Sequence, residues 1–127
     1  MEPHGKIALQ WNKNLLVVKT YGAFNIEGVK LAFEQIQQSV KASGFTSWYR
    51  VDILDNETLG SKEVMEFIGN SYVWSCNEAQ CHSVAVCCAN LLQQEMMKKF
   101  IERTSLNIKV FNSIEQTHVY IAQTLSD

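Results

Sequence analysis

The spacing of apolar side chains switches repeatedly between the period of a strand and the period of a helix. Ile7, Leu9 and Trp11 alternate with Ala8 and Gln10, which predicts a half-buried strand over Lys6 to Trp11. Leu15-Leu16-Val17-Val18 is continuously apolar, as expected of a second strand, ending at Tyr21, that is covered on both faces. Asn12-Lys13-Asn14 suits a tight turn, so the first strand reads as an antiparallel addition to the sheet. The period then lengthens. Ile26, Val29, Phe33, Ile36 and Val40 fall at three- and four-residue steps and predict a helix from Ile26 to Ala42. Asn25 is a good N-cap, Phe24 can staple onto Val29, and Gly44 with Phe45 suits a Schellman closure on Val40.

Ser47 to Ile53 reads as a third strand, followed by a polar loop holding Asp55, Asn56 and Gly60. Ser61 can cap a second helix running to about Asn77, apolar around most of its circumference. Ser83 to Cys88 is a short fourth strand. Asn90 caps a third helix to about Thr104, with Leu92, Met96 and Phe100 on one line and Met97 and Ile101 beside it. Ile108 to Phe111 is a fifth strand, and Ser113 with Gln116 makes a capping box for a last helix whose inward face is Ile114, His118, Ile121 and Leu125. The order β-β-α-β-α-β-α-β-α predicts an α/β fold: a five-stranded mixed sheet with four helices, parallel pairing and right-handed crossovers. No repeat or linker divides it, so residues 1–127 read as a single domain. Val17, Phe33, Val51, Val86 and Val110 are its expected core.

Composition narrows the class. With 46% hydrophobic and 19% charged residues, the chain is neither a disordered tail nor a low-complexity linker. Eleven basic against thirteen acidic residues argue against a nucleic-acid module that works by neutralising phosphates. The N-terminus lacks a signal-peptide pattern, and the longest apolar runs fall far short of the ~20 residues that span a bilayer, so no transmembrane segment is expected. Cys76, Cys81, Cys87 and Cys88 are then expected to be free thiols in a cytoplasmic protein.

Three segments in this order carry a resemblance. Gly22-Ala-Phe-Asn-Ile-Glu-Gly28 leads from a strand into a helix, Trp48-Tyr-Arg-Val-Asp52 is a strand ending on aspartate, and Val110-Phe-Asn-Ser-Ile-Glu-Gln-Thr-His-Val-Tyr120 closes the chain. Together they resemble the SpoIIAA-like, or STAS-like, small bacterial proteins, a fold group related to the CRAL-TRIO lipid carriers. The resemblance covers nearly the whole chain. It implies a docking module without catalysis and, in the anti-sigma-factor antagonists, a phospho-switch on one serine at the start of the helix after the third strand. Here Leu59-Gly60-Ser61-Lys62 stands where the switchable type has an Asp-Ser-Ser-Gly-like segment, leaving Ser61 and its neighbour Thr58 as the candidate switch residues.

The remaining chemistry is sparse. Asp52, Asp55, Glu57, Glu63 and Glu66 crowd one region, where first-turn carboxylates complement a helix dipole and stay solvated; a divalent cation is the alternative. Cys76, Cys81 and His82 offer a zinc pattern that lacks its second ligand pair, or a Cys76–His82 nucleophile that lacks an orienting group. His118 reads as a hydrogen-bonded core histidine, and Lys98, Lys99 and Arg103 as a solvated helix face. The expectation is therefore no enzyme, no metal and no cofactor. The informative excess is apolar. Tyr72 and Trp74 on the second helix, with Met96, Met97, Phe100 and Ile101 on the third, exceed what a sheet-facing stripe needs. They fit either a homodimer interface or a pocket for a small apolar, lipid-like ligand between the two helices. The leading expectation is a non-enzymatic interaction or regulatory module that forms a homodimer; the alternative is a carrier or sensor of such a ligand.

Overall fold

A computed structural model describes residues 2–126. The elements follow the predicted order: β1 (Lys6–Asn12), β2 (Leu15–Tyr21), α1 (Ile26–Ser43), β3 (Trp48–Ile53), α2 (Lys62–Val73), β4 (Cys81–Cys87), α3 (Leu91–Thr104), β5 (Ile108–Phe111) and α4 (Ile114–Ser126). One sheet runs β1-β2-β3-β4-β5, with β1 antiparallel to β2 and every later pair parallel. The second helix departs from expectation. Its α geometry ends at Val73, and Trp74–Glu78 form a π-helical turn that delivers the chain to β4 at Cys81 rather than Ser83.

Register decides what each face buries. Leu16, Arg50 and Val84 share one row across β2, β3 and β4, and Val18, Asp52 and Val86 the next. Ile36 and Val40 of α1, Tyr72 of α2 and Met97 of α3 pack with this face. The opposite face carries Leu15, Val51 and Ala85 beneath Tyr120, Ile121 and Leu125 of α4. The asymmetry follows from topology: right-handed crossovers between successive neighbours place α1, α2 and α3 on one side. Only α4 is left for the other.

That asymmetry corrects part of the expected core. Val51 and Val86 are fully buried, whereas Val17, Phe33 and Val110 are partly exposed. Val17 lies on the thinly covered face and Val110 on the edge strand. Phe33 lies on the flank of α1 with its ring 5.8 Å from that of Trp74, while Val29, Ala32, Ile36 and Val40 are buried. Phe45 packs on Trp11, with ring centroids 5.2 Å apart. His118 is exposed instead of buried. The inward stripe of α4 runs through Thr117, which is fully buried because its hydroxyl donates to the Ser113 carbonyl inside the helix at 2.9 Å.

The start of α1 shows why its signals were local. Asn25 Oδ1 accepts from Gly28 N–H at 2.8 Å, the N-cap bond, and also from His4 N–H at 2.8 Å. Asn25 Nδ2 donates to the Glu2 carbonyl at 2.9 Å, so one side chain caps the helix and docks the N-terminal segment on it. Gly28 permits the contact, because a Cβ there would run into the His4 carbonyl. Asn25→Ala should cost ~0.5–2 kcal/mol. It should also free residues 2–5 for proteolysis while the sheet amides keep their hydrogen-exchange protection; unchanged N-terminal protection would contradict the docking role.

Candidate functional site

The carboxyl ends of the parallel strands carry the most organised loop. Gly22, with φ 80°, turns its N–H to Asp55 Oδ2 at 3.0 Å. Asp55 Oδ1 accepts from Glu57 N–H at 3.2 Å. These backbone donors, Gly22 first, hold the Asp55 carboxyl below its ordinary value. Thr58 is buried, its hydroxyl bonded to that of Thr20 at 2.7 Å. Gln93 of α3 clamps the loop from beneath: Nε2 donates to the Asp55 carbonyl at 2.8 Å and the Thr58 carbonyl at 3.0 Å, and Oε1 accepts from Ala89 N–H at 2.7 Å. Gln93 is a core-facing polar residue that the sequence reading passed over. Its signal was position, four residues before Met97 on the inward line.

Ser61 sits at the N-cap of α2, exposed, with Oγ accepting from Val64 N–H at 3.2 Å. The two candidate switch residues are thus separated: Ser61 faces solvent and Thr58 is enclosed. Large apolar side chains surround the same edge. Tyr21 at the end of β2, Leu91 and Leu92 at the start of α3 and Ile114 at the start of α4 are exposed, Leu91 by 74%. Leu92 was expected on the inward line of α3. Gln93 and Met97 are the buried residues there.

From Gly60 a groove of about 710 Å³ runs between α2 and α3. Its walls are two stripes at helical spacing: Lys62, Met65, Glu66 and Gly69 on α2, and Met96, Lys99, Phe100 and Arg103 on α3. Ile68, Tyr72, Met97 and Glu102 complete it. Gly69 lets the helices approach, since a Cβ there would stand 2.6 Å from the Phe100 ring. Four of the six apolar candidates therefore line the groove. Trp74 does not, because the π-helical turn redirects it onto Phe33, and Ile101 packs against the main core.

Beneath the groove lies a buried charge pair. Arg50 Nε donates to Asp52 Oδ1 at 2.8 Å and Nη2 to Oδ2 at 3.0 Å. Tyr72 Oη donates to Oδ2 at 3.0 Å, and Arg50 Nη1 reaches Ser75 Oγ at 3.0 Å and the Ser71 carbonyl at 3.3 Å. The guanidinium lies 4.7 Å from the Tyr72 ring centroid. Burial opposes the Arg50 charge, but Asp52 outweighs it and holds the guanidinium pKa above its ordinary value. Burial, with Asp52, pushes the Tyr72 phenol well above its usual range. Among the described residues no buried side-chain polar atom lacks a partner. Asp52 is therefore withdrawn from the acidic cluster, and no group of three His, Cys, Asp or Glu converges among the described residues.

Strand alternation also separates Cys81 from His82. Cys81 is buried with the α1–α3 face, while His82 is exposed and stacks on Tyr49 at 5.4 Å. Cys76 is partly buried against the same core cluster, which does not include His82, and among the described residues no hydrogen bond joins the Cys76 and His82 side chains.

No family model and no curated sequence matches the chain. Among solved structures it is similar to an anti-sigma factor antagonist from Mycobacterium paratuberculosis, with a TM-score of 0.63 at 9% identity over 94% of this chain and 95% of that one. It is also similar to an uncharacterised Shewanella loihica protein with a SpoIIAA-like fold, with a TM-score of 0.61 at 13% identity over 94% and 95% of the two chains. The chain has the SpoIIAA-like fold. No described helix is long and apolar enough to cross a membrane.

Proposed function

We propose that this chain is a non-enzymatic, STAS-like interaction module of the cytoplasm that docks a protein partner on the carboxyl edge of its sheet. One observation carries the reading: Tyr21, Leu91, Leu92 and Ile114 are exposed on the edge where Ser61 caps α2 and Gln93 fixes the loop. Exposed apolar side chains grouped around a rigid polar loop are what a protein interface uses. The Mycobacterium neighbour, described as an anti-sigma factor antagonist, supports a protein as the partner. A phosphate on Ser61 would meet free N–H groups of the first turn but also the nearby acidic side chains, so modification there is expected to be rare. A photo-crosslinking residue placed at Ser61 should trap one defined protein in extracts of the source cells. Leu91→Glu with Leu92→Glu should abolish the adduct without lowering the melting temperature. A double variant that still cross-links would sink this docking edge.

The groove favours a second use of the same fold. Its Met and aromatic floor fits either a homodimer interface or a small apolar ligand. Met96→Glu places a charge in that floor and separates the two. Light scattering should report a dimer that falls to a folded monomer if the groove is the interface. A dansylated fatty acid should lose its fluorescence gain on the variant if the groove is a pocket. A wild-type monomer removes the first, and a wild type that leaves the probe dark removes the second.

A further inference from the structure

The two free edges of the sheet are built differently. Strand β5 is four residues long and carries the exposed Lys109, and both a short strand and a lysine blunt an edge. Strand β1 is seven residues long, runs against β2 without a bulge, contains no proline and keeps its one charge, Lys6, at its end. Among the described residues β2 is its only sheet partner. The two-residue turn at Lys13-Asn14 makes its flanking pair, Asn12 and Leu15, a hydrogen-bonded one. Alternation then directs the N–H and C=O of Lys6, Ala8, Gln10 and Asn12 toward β2 and those of Ile7, Leu9 and Trp11 outward.

The same three residues carry large apolar side chains. They are half-buried against the core, where Trp11 Nε1 donates to Ser39 Oγ at 2.9 Å and Phe45 packs on the indole. Helix α1 extends this edge. Leu31, Gln35, Gln38 and Ala42 recur at three- and four-residue steps beside Ser39, and all four are exposed. None is charged; Glu27, Lys30, Glu34 and Lys41 share a separate stripe of the helix. Leu31 stands two residues from Phe33, which meets Trp74, and so lies on the opposite flank.

We propose that a second copy of this chain covers this edge, its β1 pairing antiparallel with β1 about a two-fold axis at Leu9. The free backbone groups choose the centre. With Leu9 opposite the partner's Leu9, Ile7 falls opposite the partner's Trp11, and every outward N–H and C=O of the three residues is paired. A centre at Ala8 or Gln10 leaves Trp11 or Ile7 beyond the end of the facing strand. On the α1 side the apolar stripe closes on itself; on the other side Ala8 meets the partner's Gln10. A two-fold axis brings each group near its own copy, so a charge close to it would face a like charge. The centre of β1 and the flank of α1 hold none, and Lys6 falls opposite the partner's Asn12. That neutrality, with a register that pairs all three residues, favours a second copy over an unrelated strand. The surface shares no residue with the walls of the groove between α2 and α3.

Sedimentation equilibrium should find the wild type with the mass of two chains. The Ile7, Leu9 and Trp11 amides should be protected from hydrogen exchange in the dimer and lose that protection on dilution. Ala8 and Gln10 are exposed and test the register without entering the core. Ala8→Lys with Gln10→Lys sets lysine opposite lysine and should give a monomer that circular dichroism reports as folded. Ala8→Lys with Gln10→Glu sets each lysine opposite a glutamate and should keep the dimer. Met96→Glu, in the groove, should keep it as well. The proposal is overturned by a monomeric wild type, by a dimeric lysine–lysine variant, or by loss of the dimer in either of the other two variants. Edge amides that exchange equally fast at every protein concentration would overturn it too.

Discussion

Arg50→Met should destabilise the fold by about 3–5 kcal/mol, because it leaves the Asp52 carboxylate buried with no cation beside it. Arg50 and Asp52 are only 2% and 3% exposed, and water cannot replace the lost partner without opening the α1–α3 face. The loss spreads beyond the pair, since the same guanidinium holds Ser75 Oγ and the Ser71 carbonyl at the start of the π-helical turn. Urea denaturation followed by circular dichroism measures it. Arg50→Met combined with Asp52→Leu should recover much of the loss, because a well-packed apolar pair often matches a buried ion pair. A double variant as unstable as the single one would show that geometry at the turn matters more than the orphaned charge.

Trp48→Ala should cost a similar ~3–5 kcal/mol by a different route. The indole is fully buried, stands 5.9 Å from the Trp11 ring and donates its N–H to the Ala79 carbonyl at 2.6 Å. Alanine leaves a cavity and an orphaned acceptor at the start of β4. With urea slopes of ~1–3 kcal/mol per molar, the midpoint should fall by ~1–5 M. Trp48→Phe keeps part of the volume and loses only the donor, so it should cost less than half as much. Equal costs for the two would show the hydrogen bond, rather than the packing, to dominate.

These two sites lie beyond what local spacing made legible. Helix α1 was readable from cap to closure because Asn25, Val29, Ile36, Val40 and Gly44 report on neighbours within a turn. The strand order was readable because the periods alternate along the chain. Tertiary exchanges were harder. Arg50, Gln93 and Thr117 occupy core-facing positions that binary patterning assigns to apolar residues; Ser71 and Ser75 help satisfy Arg50 and the Asp55 loop satisfies Gln93, whereas Thr117 bonds the Ser113 carbonyl within its own helix. Arg50 carried a trace of this, since alternation puts it on the same face as Trp48 and Asp52. His118 and Leu92 were misplaced for the converse reason: their faces turn outward once Thr117 and Gln93 turn in. The switch from α to π geometry after Val73 has no marker in local spacing. It moved Trp74 out of the groove and onto Phe33.

The sheet order has a kinetic consequence. Every strand pairs with the one synthesised just before it, so no pairing waits for a distant part of the chain. The β1–β2 hairpin can act as a template, and each helix-and-strand unit that leaves the ribosome can add to the growing edge with a loop closure of similar, modest entropy. α4 arrives last, and its arrival alone covers Leu15, Val51 and Ala85. A nascent chain stalled before Ile114 would therefore hold a complete sheet with one greasy side open to solvent, which is the intermediate most prone to stick to its neighbours.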